Sequence, residues 1–255
     1  IKEGVAEDFT NRERIAPLLR FASTLDGKEE ASVDLAGYKE RMPEGQDAIY
    51  YITAENHQAA SHSPHLEVFR KKGIEVLLMS DRVDEWMMAY FNEFDGTPFK
   101  SVAKGDIDLA AVNSSDDAEK EESDKTEDSA DALDSALLEK VRETLGEQVS
   151  EVRSSQRLTD SASCLVLGEQ EMALHLQRLL EQAGQSVPGS RPVLELNASH
   201  PLVEMLQSEE DDERFNDLAQ VLFEQALLSE GGSLTDPAGY VSRVNALLLR
   251  QAVSS

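Results

Sequence analysis

The fold is decided by residues 48–79, AIYYITAENHQAASHSPHLEVFRKKGIEVLLM. The two ends of this stretch, residues 48–53 and 74–79, are short apolar runs rich in β-branched and aromatic side chains, and both predict buried strands. The segment between them, residues 56–72, predicts a helix in two pieces, because the residue before Pro64 is biased away from the helical conformation. Two strands joined by a helical crossover are normally parallel, so this stretch predicts an α/β layer.

The flanking sequence supplies further elements of the same layer. Gly73 can end the crossover helix in a left-handed conformation. Residues 6–22 predict a covering helix, and residues 97–104 predict an edge strand. Asp81 follows the second strand, and we expect it to cap a helix over residues 82–94.

The second half of the chain reads as an α+β unit that ends in a helical hairpin, with Gly231 and Gly232 at the reversal. We therefore expect a three-layer α/β unit at residues 1–113 and an α+β unit at residues 132–255. The strands of the second unit are predicted at residues 149–158, 163–167 and 193–196, and its helices at 132–147, 169–183, 200–207, 211–229 and 237–252.

An acidic segment separates the two predicted units. Residues 114–131, SSDDAEKEESDKTEDSAD, contain nine acidic residues against two lysines and no aromatic or large aliphatic side chain. Such a segment cannot bury enough surface to offset the entropy of ordering. It predicts a flexible tether, and the alternative is an acidic arm that binds basic partners.

The composition excludes several classes of function. The 255 residues include 24 basic and 50 acidic side chains, a net charge of −26. This charge opposes contact with nucleic-acid phosphates and anionic lipid, so we expect neither nucleic acid nor membrane as a partner. A single cysteine, Cys164, rules out a disulfide framework and is typical of a reducing cytoplasm. A start at Ile1, with no leader sequence, is expected of a piece of a longer cytoplasmic chain.

The search for catalytic motifs is negative. The sequence contains no phosphate-binding P-loop, no Gly-x-Gly-x-x-Gly after a predicted strand and no nucleophile elbow. Cys164 lies in an apolar run and is expected to be a buried filler. His57, His62 and His65 lack the i, i+4 spacing of a helical metal pair. A phospho-acceptor role for Asp81 is the enzymatic alternative to helix capping, and it would need Mg²⁺ held by further acids.

Two apolar helical stretches are candidates for binding. The first surrounds Trp86, where nearly every position up to Phe91 is large and apolar, so one helical face cannot bury them all. The second is a stripe at helical spacing. Core packing is the simpler interpretation of both stretches, and an adaptable binding surface is the alternative. The members of the second stripe are Met172, Leu176, Leu179 and Leu180.

The apolar stripes of the last two helices are wider than their mutual contact requires. The surplus can cover the strands of the same domain, or it can pair with the hairpin of a second chain in an isologous four-helix interface. The pattern alone leaves both possibilities open. The candidate interface residues are Leu218, Leu222, Tyr240, Val241, Val244, Leu247 and Leu248.

Long motifs of this sequence resemble the bacterial ninety-kilodalton heat-shock chaperone family. The resemblance covers essentially the whole chain except the acidic tether. The motifs are IKEGVAEDFTNRERIAPLLRFAST at residues 1–24, DAIYYIT at 47–53, SPHLEVFRKKGIEVLLMSDRVDEWMMAYFNEFDGTPFKSV at 63–102, QRLTDSAS at 156–163, VLELNASHPLV at 193–203 and FEQALLSEGGSLTDP at 223–237.

This resemblance implies a fragment of a cytoplasmic stress-response chaperone, made of the end of the middle domain and the whole C-terminal dimerisation domain. It implies a homodimer that holds non-native client proteins at Glu85 and Trp86 and at the stripe of Met172, Leu176, Leu179 and Leu180. It places ATP, Mg²⁺ and the catalytic arginine of the middle domain upstream of this chain, so we expect no cofactor, metal or ATPase activity here. The functional alternative is a purely structural dimerisation module without a client surface.

Overall fold

The computed structural model describes residues 1–107, 133–169, 171–185 and 189–254, with the backbone alone for residues 250–254. The chain divides into two compact units, Ile1–Glu122 and Ser123–Ser255, and each is described by itself. The acidic tether predicted at residues 114–131 lies outside the described residues, so its flexibility and the exact domain bounds stay predictions.

The first unit contains six helices and five strands among its described residues. Its helices are α1 (Lys2–Glu7), α2 (Arg12–Ile15), α3 (Leu35–Arg41), α4 (His57–Ser61), α5 (Glu67–Lys71) and α6 (Asp84–Met88). Its strands are β1 (Ala22–Ser23), β2 (Ile49–Thr53), β3 (Leu77–Met79), β4 (Glu93–Phe94) and β5 (Thr97–Ser101).

These strands form one mixed sheet in the order β1-β3-β2-β5-β4. The central strand β2 is parallel to both β3 and β5, with Tyr51 opposite Leu77 and Ile49 opposite Phe99. The predicted parallel pair is therefore confirmed, as are the break before Pro64 and the left-handed Gly73, whose φ is 67°.

Side chains alternate between the two faces of this sheet, as the period of a strand requires. Ile49 and Leu77 belong to one buried cluster, whereas Tyr50, Ile52 and Leu78 belong to another. Helices contribute to both clusters, α1, α3 and α6 to the first and α4 and α5 to the second. The sheet is thus buried on both faces, which is typical of α/β layers.

Three predictions for this unit are wrong. Residues 6–22 do not form one helix: α1 and α2 are separate, and a turn of 3₁₀ helix with Pro17 inside it leads to β1. The helix predicted over 82–94 ends at Met88, because the chain turns into β4. Residues 97–104 are not an edge strand, since β4 pairs antiparallel with β5 and occupies the edge.

Asp81 does not cap α6, which is a further correction. No side chain accepts a hydrogen bond at the cap position of this helix, which Val83 occupies. Instead, Asp81 Oδ2 lies 2.7 Å from Lys2 Nζ, and its backbone N–H donates to Asp84 Oδ2 over 2.9 Å. Asp81 therefore joins α1 to the start of α6.

The second unit contains five helices and three strands among its described residues. Its helices are α7 (Ser135–Leu145), α8 (Leu174–Gln182), α9 (Pro201–Ser208), α10 (Asp212–Ser229) and α11 (Pro237–Ser254). Its strands are β6 (Glu151–Ser154), β7 (Ser163–Val166) and β8 (Val193–Leu196), in the order β6-β8-β7.

One main apolar core holds the second unit together. Leu165 and Leu194 of the sheet, Val141 of α7, Val203 of α9 and Phe215 of α10 are almost completely buried in it. The predicted α11 cap is confirmed, because Asp236 Oδ1 accepts the N–H of Gly239 over 2.9 Å. Strands followed by long helices agree with the predicted mixture of secondary structure.

The structure corrects the extent of two elements in this unit. The helix predicted at residues 169–183 begins only at Leu174, so Met172 precedes α8 and is not part of its helical stripe. The strand predicted at residues 149–158 is confined to β6, because the chain turns at Ser155, whose hydroxyl accepts the N–H groups of Arg157 and Leu158.

Candidate functional site

The helix α6 divides its apolar residues between core and surface. Met87 and Met88 are 0% and 8% exposed and pack in the first cluster, whereas Trp86 is 40% exposed. A five-residue helix has too few turns to bury every side chain, so Trp86 lies on the outer face. The prediction that one helical face cannot hold the run 86–91 agrees with this division.

The carboxylate of Glu85 is directed into its own unit. Its Oε2 accepts a hydrogen bond from Thr53 Oγ1 over 2.6 Å, and its Oε1 lies 2.9 Å from Lys104 Nζ. The side chains of Glu85 and Lys104 are each only 16% exposed. Glu85 therefore anchors α6 to the last residue of β2 and to the segment that follows β5, and it sets the position of Trp86.

The residue before Glu85 fixes the other side of α6. Asp84 is 1% exposed, and its Oδ1 lies 2.7 Å from Lys2 Nζ. Burial raises the pKa of the Asp84 carboxyl, while the charge of Lys2 opposes that rise. Asp84, which is buried, and Glu85, which is half-buried, thus fix this short helix to the rest of the first unit.

The second candidate surface lies on α8. Leu179 is 41% exposed, and the other members of the predicted stripe, Leu176 and Leu180, are half-buried. Their i, i+3, i+4 spacing places them on one helical face. Met172 is also half-buried, but it lies in the segment leading into the helix.

Polar contacts hold α8 in place from its opposite side. Gln177 is 8% exposed, and its Nε2 donates to the carbonyl of Met172 over 2.7 Å and to Ser190 Oγ over 3.1 Å. Leu174 packs against the main core of the second unit. Leu176, Leu179 and Leu180 are thus partly exposed on a helix that Gln177 and Leu174 hold against the rest of the unit.

The structure separates the predicted interface residues of the terminal hairpin into two sets. Leu218 and Leu222 of α10 are 2% and 1% exposed and belong to the core of their own unit. Val241 and Leu248 of α11 are 54% and 58% exposed. Tyr240, Val244 and Leu247 are half-buried.

An apolar groove runs between α9, α10 and α11. It has a volume of about 150 Å³. Leu218 and Leu222 lie at its floor, where they are almost fully buried. The residues that line it are Leu202, Met205, Leu218, Val221, Leu222, Gln225, Val244, Leu247 and Leu248.

An ion pair fixes α11 against α10 beside this groove. Arg243 pairs with Glu224, whose side chain is only 7% exposed. The hydrogen bond to Glu224 raises the pKa of the Arg243 guanidinium. A buried carboxylate needs such a cation, and this pair therefore specifies how the two helices dock.

The family relationship agrees with the long motifs. A sequence model of the Hsp90 protein family matches residues 1–254. The chain belongs to the Hsp90 family. It is 56% identical over 252 residues to the curated chaperone protein HtpG of Alkalilimnicola ehrlichii. That match covers 99% of this chain and 38% of the relative, so the chain spans well under half the length of that protein.

Cys164 of this Hsp90-family chain lies in a buried cluster with Glu195 and its two arginines. Cys164 is fully buried, as predicted for a filler, with its Sγ 3.9 Å from Glu195 Oε2. Glu195 is itself buried and pairs with Arg153 and Arg157 over 2.8 and 3.0 Å.

In the parts of the chain that the structure describes, no three His, Cys, Asp or Glu residues are arranged to hold a metal ion. In the same parts, no helix is long and apolar enough to cross a membrane.

Sequence reasoning missed two exposed aromatic residues beside Trp86. Tyr90 is 45% exposed and its ring centroid lies 5.7 Å from that of Trp86. Phe9 is 64% exposed and lies 6.5 Å from Tyr90. The only signal in the sequence is that both are large aromatic residues, which does not distinguish them from core residues.

Proposed function

We propose that this Hsp90-family chain binds exposed apolar segments of non-native proteins and pairs with a second copy of itself, as part of a bacterial chaperone. The observation that carries the proposal is the exposure of Trp86 on α6 and of Leu179 on α8, each of which is about two-fifths accessible. Both side chains are therefore accessible to a partner.

Binding at these side chains would be driven by desolvation. Burying the exposed 40% of Trp86 contributes on the order of 2 kcal/mol, and an exposed leucine contributes somewhat less. Contacts of this kind have little sequence preference, which suits a protein that holds many different clients. The net charge of −26 favours clients whose apolar segments have basic flanks.

Self-association is assigned to the terminal hairpin. Val241 and Leu248 lie seven residues apart on α11 and are both more than half exposed. With the neighbouring groove they form an apolar strip that a second hairpin can cover in a two-fold symmetric, isologous contact. Leu218 and Leu222 then contribute from the floor of the groove.

We assign no catalytic step to this chain. ATP and Mg²⁺ would be bound by another domain of the complete chaperone, and the motion that ATP drives would change the spacing between the two client surfaces. The competing proposal is a purely structural dimerisation module, in which the half-exposed side chains have no ligand.

Two single substitutions decide between these proposals. The chain is titrated against a fluorescently labelled, permanently unfolded polypeptide, and binding is measured by anisotropy. Trp86→Ser and Leu179→Ser should each weaken binding about fivefold to tenfold, because each removes exposed apolar surface without opening the core. Leu25→Ser is the matched control, since Leu25 is 57% exposed and lies outside both surfaces. Unchanged binding in both variants would favour the purely structural module.

A further inference from the structure

Three exposed aromatic rings of the first unit are joined by two successive ring contacts. The centroids of Trp86 and Tyr90 lie 5.7 Å apart with their planes at 66°, and those of Tyr90 and Phe9 lie 6.5 Å apart at 72°. Their exposed fractions are 40%, 45% and 64%. We call these three residues the aromatic ladder.

The ladder joins two parts of the chain that are distant in sequence. Phe9 lies in the turn between α1 and α2, whereas Trp86 and Tyr90 lie on and just after α6. The ion pair of Lys2 with Asp84, 2.7 Å between Nζ and Oδ1, holds α1 beside α6 and so brings the two parts together. The arrangement is therefore set by a buried contact and does not depend on the rings alone.

The ring of Phe9 and the backbone of Tyr90 are also held in place locally. The guanidinium carbon of Arg12 lies 4.5 Å from the centre of the Phe9 ring, and Arg12 Nε donates to the carbonyl of Val5 over 2.9 Å. The N–H of Tyr90 donates to the carbonyl of Met87 over 3.0 Å. Rings that are already ordered lose little entropy when they bind a ligand, which favours affinity.

We propose that the aromatic ladder extends the client surface beyond Trp86 and selects extended segments with aromatic or large apolar side chains at alternate positions. This inference rests on the proposed function, because it concerns the same surface. It assigns Phe9 and Tyr90 as specificity-determining residues.

The ring spacing supports this choice of ligand. In a chain in the β-conformation, alternate side chains lie on one side about 6.4 to 6.8 Å apart. The two steps of the ladder, 5.7 and 6.5 Å, are close to that repeat. Edge-to-face contacts with such side chains add stabilisation beyond the area that they bury.

The charge around the ladder supports basic residues on either side of the bound segment. Residues 1–14 and 81–95, which carry the three rings, contain nine acidic and four basic side chains. Of the four basic side chains, Lys2 is paired with Asp84 and Arg12 is stacked on Phe9. A lysine-flanked apolar segment therefore complements this surface better than an acidic one.

The sole tryptophan of the chain provides a direct test. A short peptide free of tryptophan, with three phenylalanines at alternate positions between lysine flanks, is titrated while Trp86 emission is recorded. The emission should shift to shorter wavelength and saturate as the indole loses water. A second peptide of the same composition, with the three phenylalanines adjacent, should bind about threefold or more weakly, since only one or two rings of the ladder are then used.

Substitutions then test each ring. Phe9→Ser and Tyr90→Ser should weaken binding of the alternating peptide about fivefold, whereas Leu25→Ser should leave it unchanged. Tyr90→Phe keeps the ring and should retain full affinity. If Phe9→Ser loses helical content by circular dichroism, Phe9→Leu replaces it, because leucine keeps the apolar bulk but removes the ring.

The outcomes separate this inference from the proposed function. Equal affinity for the two peptides, or Phe9 and Tyr90 variants that bind as well as Leu25→Ser, would overturn the ladder while leaving Trp86 as a client contact. Binding of a labelled peptide to the Trp86→Ser variant, measured by fluorescence anisotropy, tests the proposed function itself. If that variant binds normally, the ladder and the Trp86 contact are overturned, and the proposed function is overturned as well if Leu179→Ser also binds normally.

Discussion

Lys104 Nζ lies 2.9 Å from Glu85 Oε1, and this contact links the segment after β5 to the helix that presents Trp86. Thr53 completes the arrangement with its hydroxyl on the other carboxylate oxygen. Glu85 and Trp86 are neighbours in sequence but differ in role: the carboxylate is directed inward and the indole outward. Direct contact of Glu85 with a client stays a prediction, whereas its anchoring of α6 is visible in the structure.

We expect Lys104→Met to lower the free energy of unfolding of the first unit by about 1 to 2 kcal/mol, because Glu85 loses its cation in a mostly buried place. Trp86 emission should also change, since α6 is less firmly held. Denaturant unfolding followed by tryptophan fluorescence measures both effects. Lys100→Met removes a half-buried lysine of β5 itself and serves as the control. Equal effects of the two substitutions would contradict an anchoring role for Glu85.

Asp84 should give the first unit an unusual pH dependence. Burial raises the pKa of this carboxyl above its ordinary value of 3.8, so the folded state binds the proton more tightly than the unfolded chain does. The contribution of Asp84 to stability therefore increases as the pH falls through the folded pKa, and it is lost as the pH rises.

The neutral variant Asp84→Asn isolates this contribution. It should be more stable than the wild type at neutral pH, and the difference should shrink as the pH is lowered towards the ordinary aspartate pKa. Denaturant unfolding at a series of pH values measures the difference. In Asp26, by contrast, the N–H of Lys28 donates to the carboxylate and lowers its pKa, so Asp26→Asn should show the opposite trend. A difference for Asp84→Asn that is independent of pH would contradict the assignment.

Gly231 couples the hairpin reversal to α8. Its φ is 73°, and a Cβ at this position would lie 3.1 Å from the Cβ of His175. Gly231→Ala should lower the free energy of unfolding by about 1 to 2 kcal/mol from the left-handed conformation alone. Gly184→Ala is the matched control, because Gly184 has a φ of 77° and no atom within 4 Å of its added Cβ. Only Gly231→Ala should also displace α8 and weaken binding at Leu179, as anisotropy with an unfolded polypeptide would reveal.

The exposed strip of α11 should govern self-association. Val241→Glu and Leu248→Glu each place a charge on a side chain that is more than half exposed, so the isolated fold should be unaffected. We expect each to weaken the dimer at least about tenfold, since a charge in the centre of an apolar interface is costly. Light scattering over a concentration series measures the mass. Ser242→Glu adds the same charge to an exposed neighbour outside the strip, and a similar loss of mass there would argue against this interface.

The sequence pattern predicts the structure correctly where proline and glycine determine the backbone conformation. Pro64 and Gly73 divide and end the crossover helix as the sequence predicts, and the strands on either side are parallel. The hairpin from β4 to β5 is not among the predictions, although the sequence has an Asp-Gly pair at residues 95 and 96. In the structure both residues have a positive φ, 47° for Asp95 and 73° for Gly96. An Asp-Gly pair between apolar residues is a strong hairpin signal, but the continuous apolar run before it favoured a helix.

The candidate surfaces could be predicted only in part. Periodicity identifies Leu176, Leu179 and Leu180 as one face, but it cannot show which side of α8 is fixed by Gln177. Nothing local connects Phe9 to Tyr90, because their contact depends on the packing of α1 beside α6. Such contacts between distant segments are set by the tertiary structure and leave no regular spacing in the sequence.

The strand order of the second unit constrains how this domain is made during translation. In the described residues, β6 and β7 do not pair with each other, and β8, which lies between them, is the only strand with which each of them pairs. No native ladder of this sheet can therefore form until Val193–Leu196 has left the ribosomal tunnel. Until then, the backbone N–H and C=O groups of nascent β6 and β7 have no strand partner, so these segments themselves need protection from aggregation.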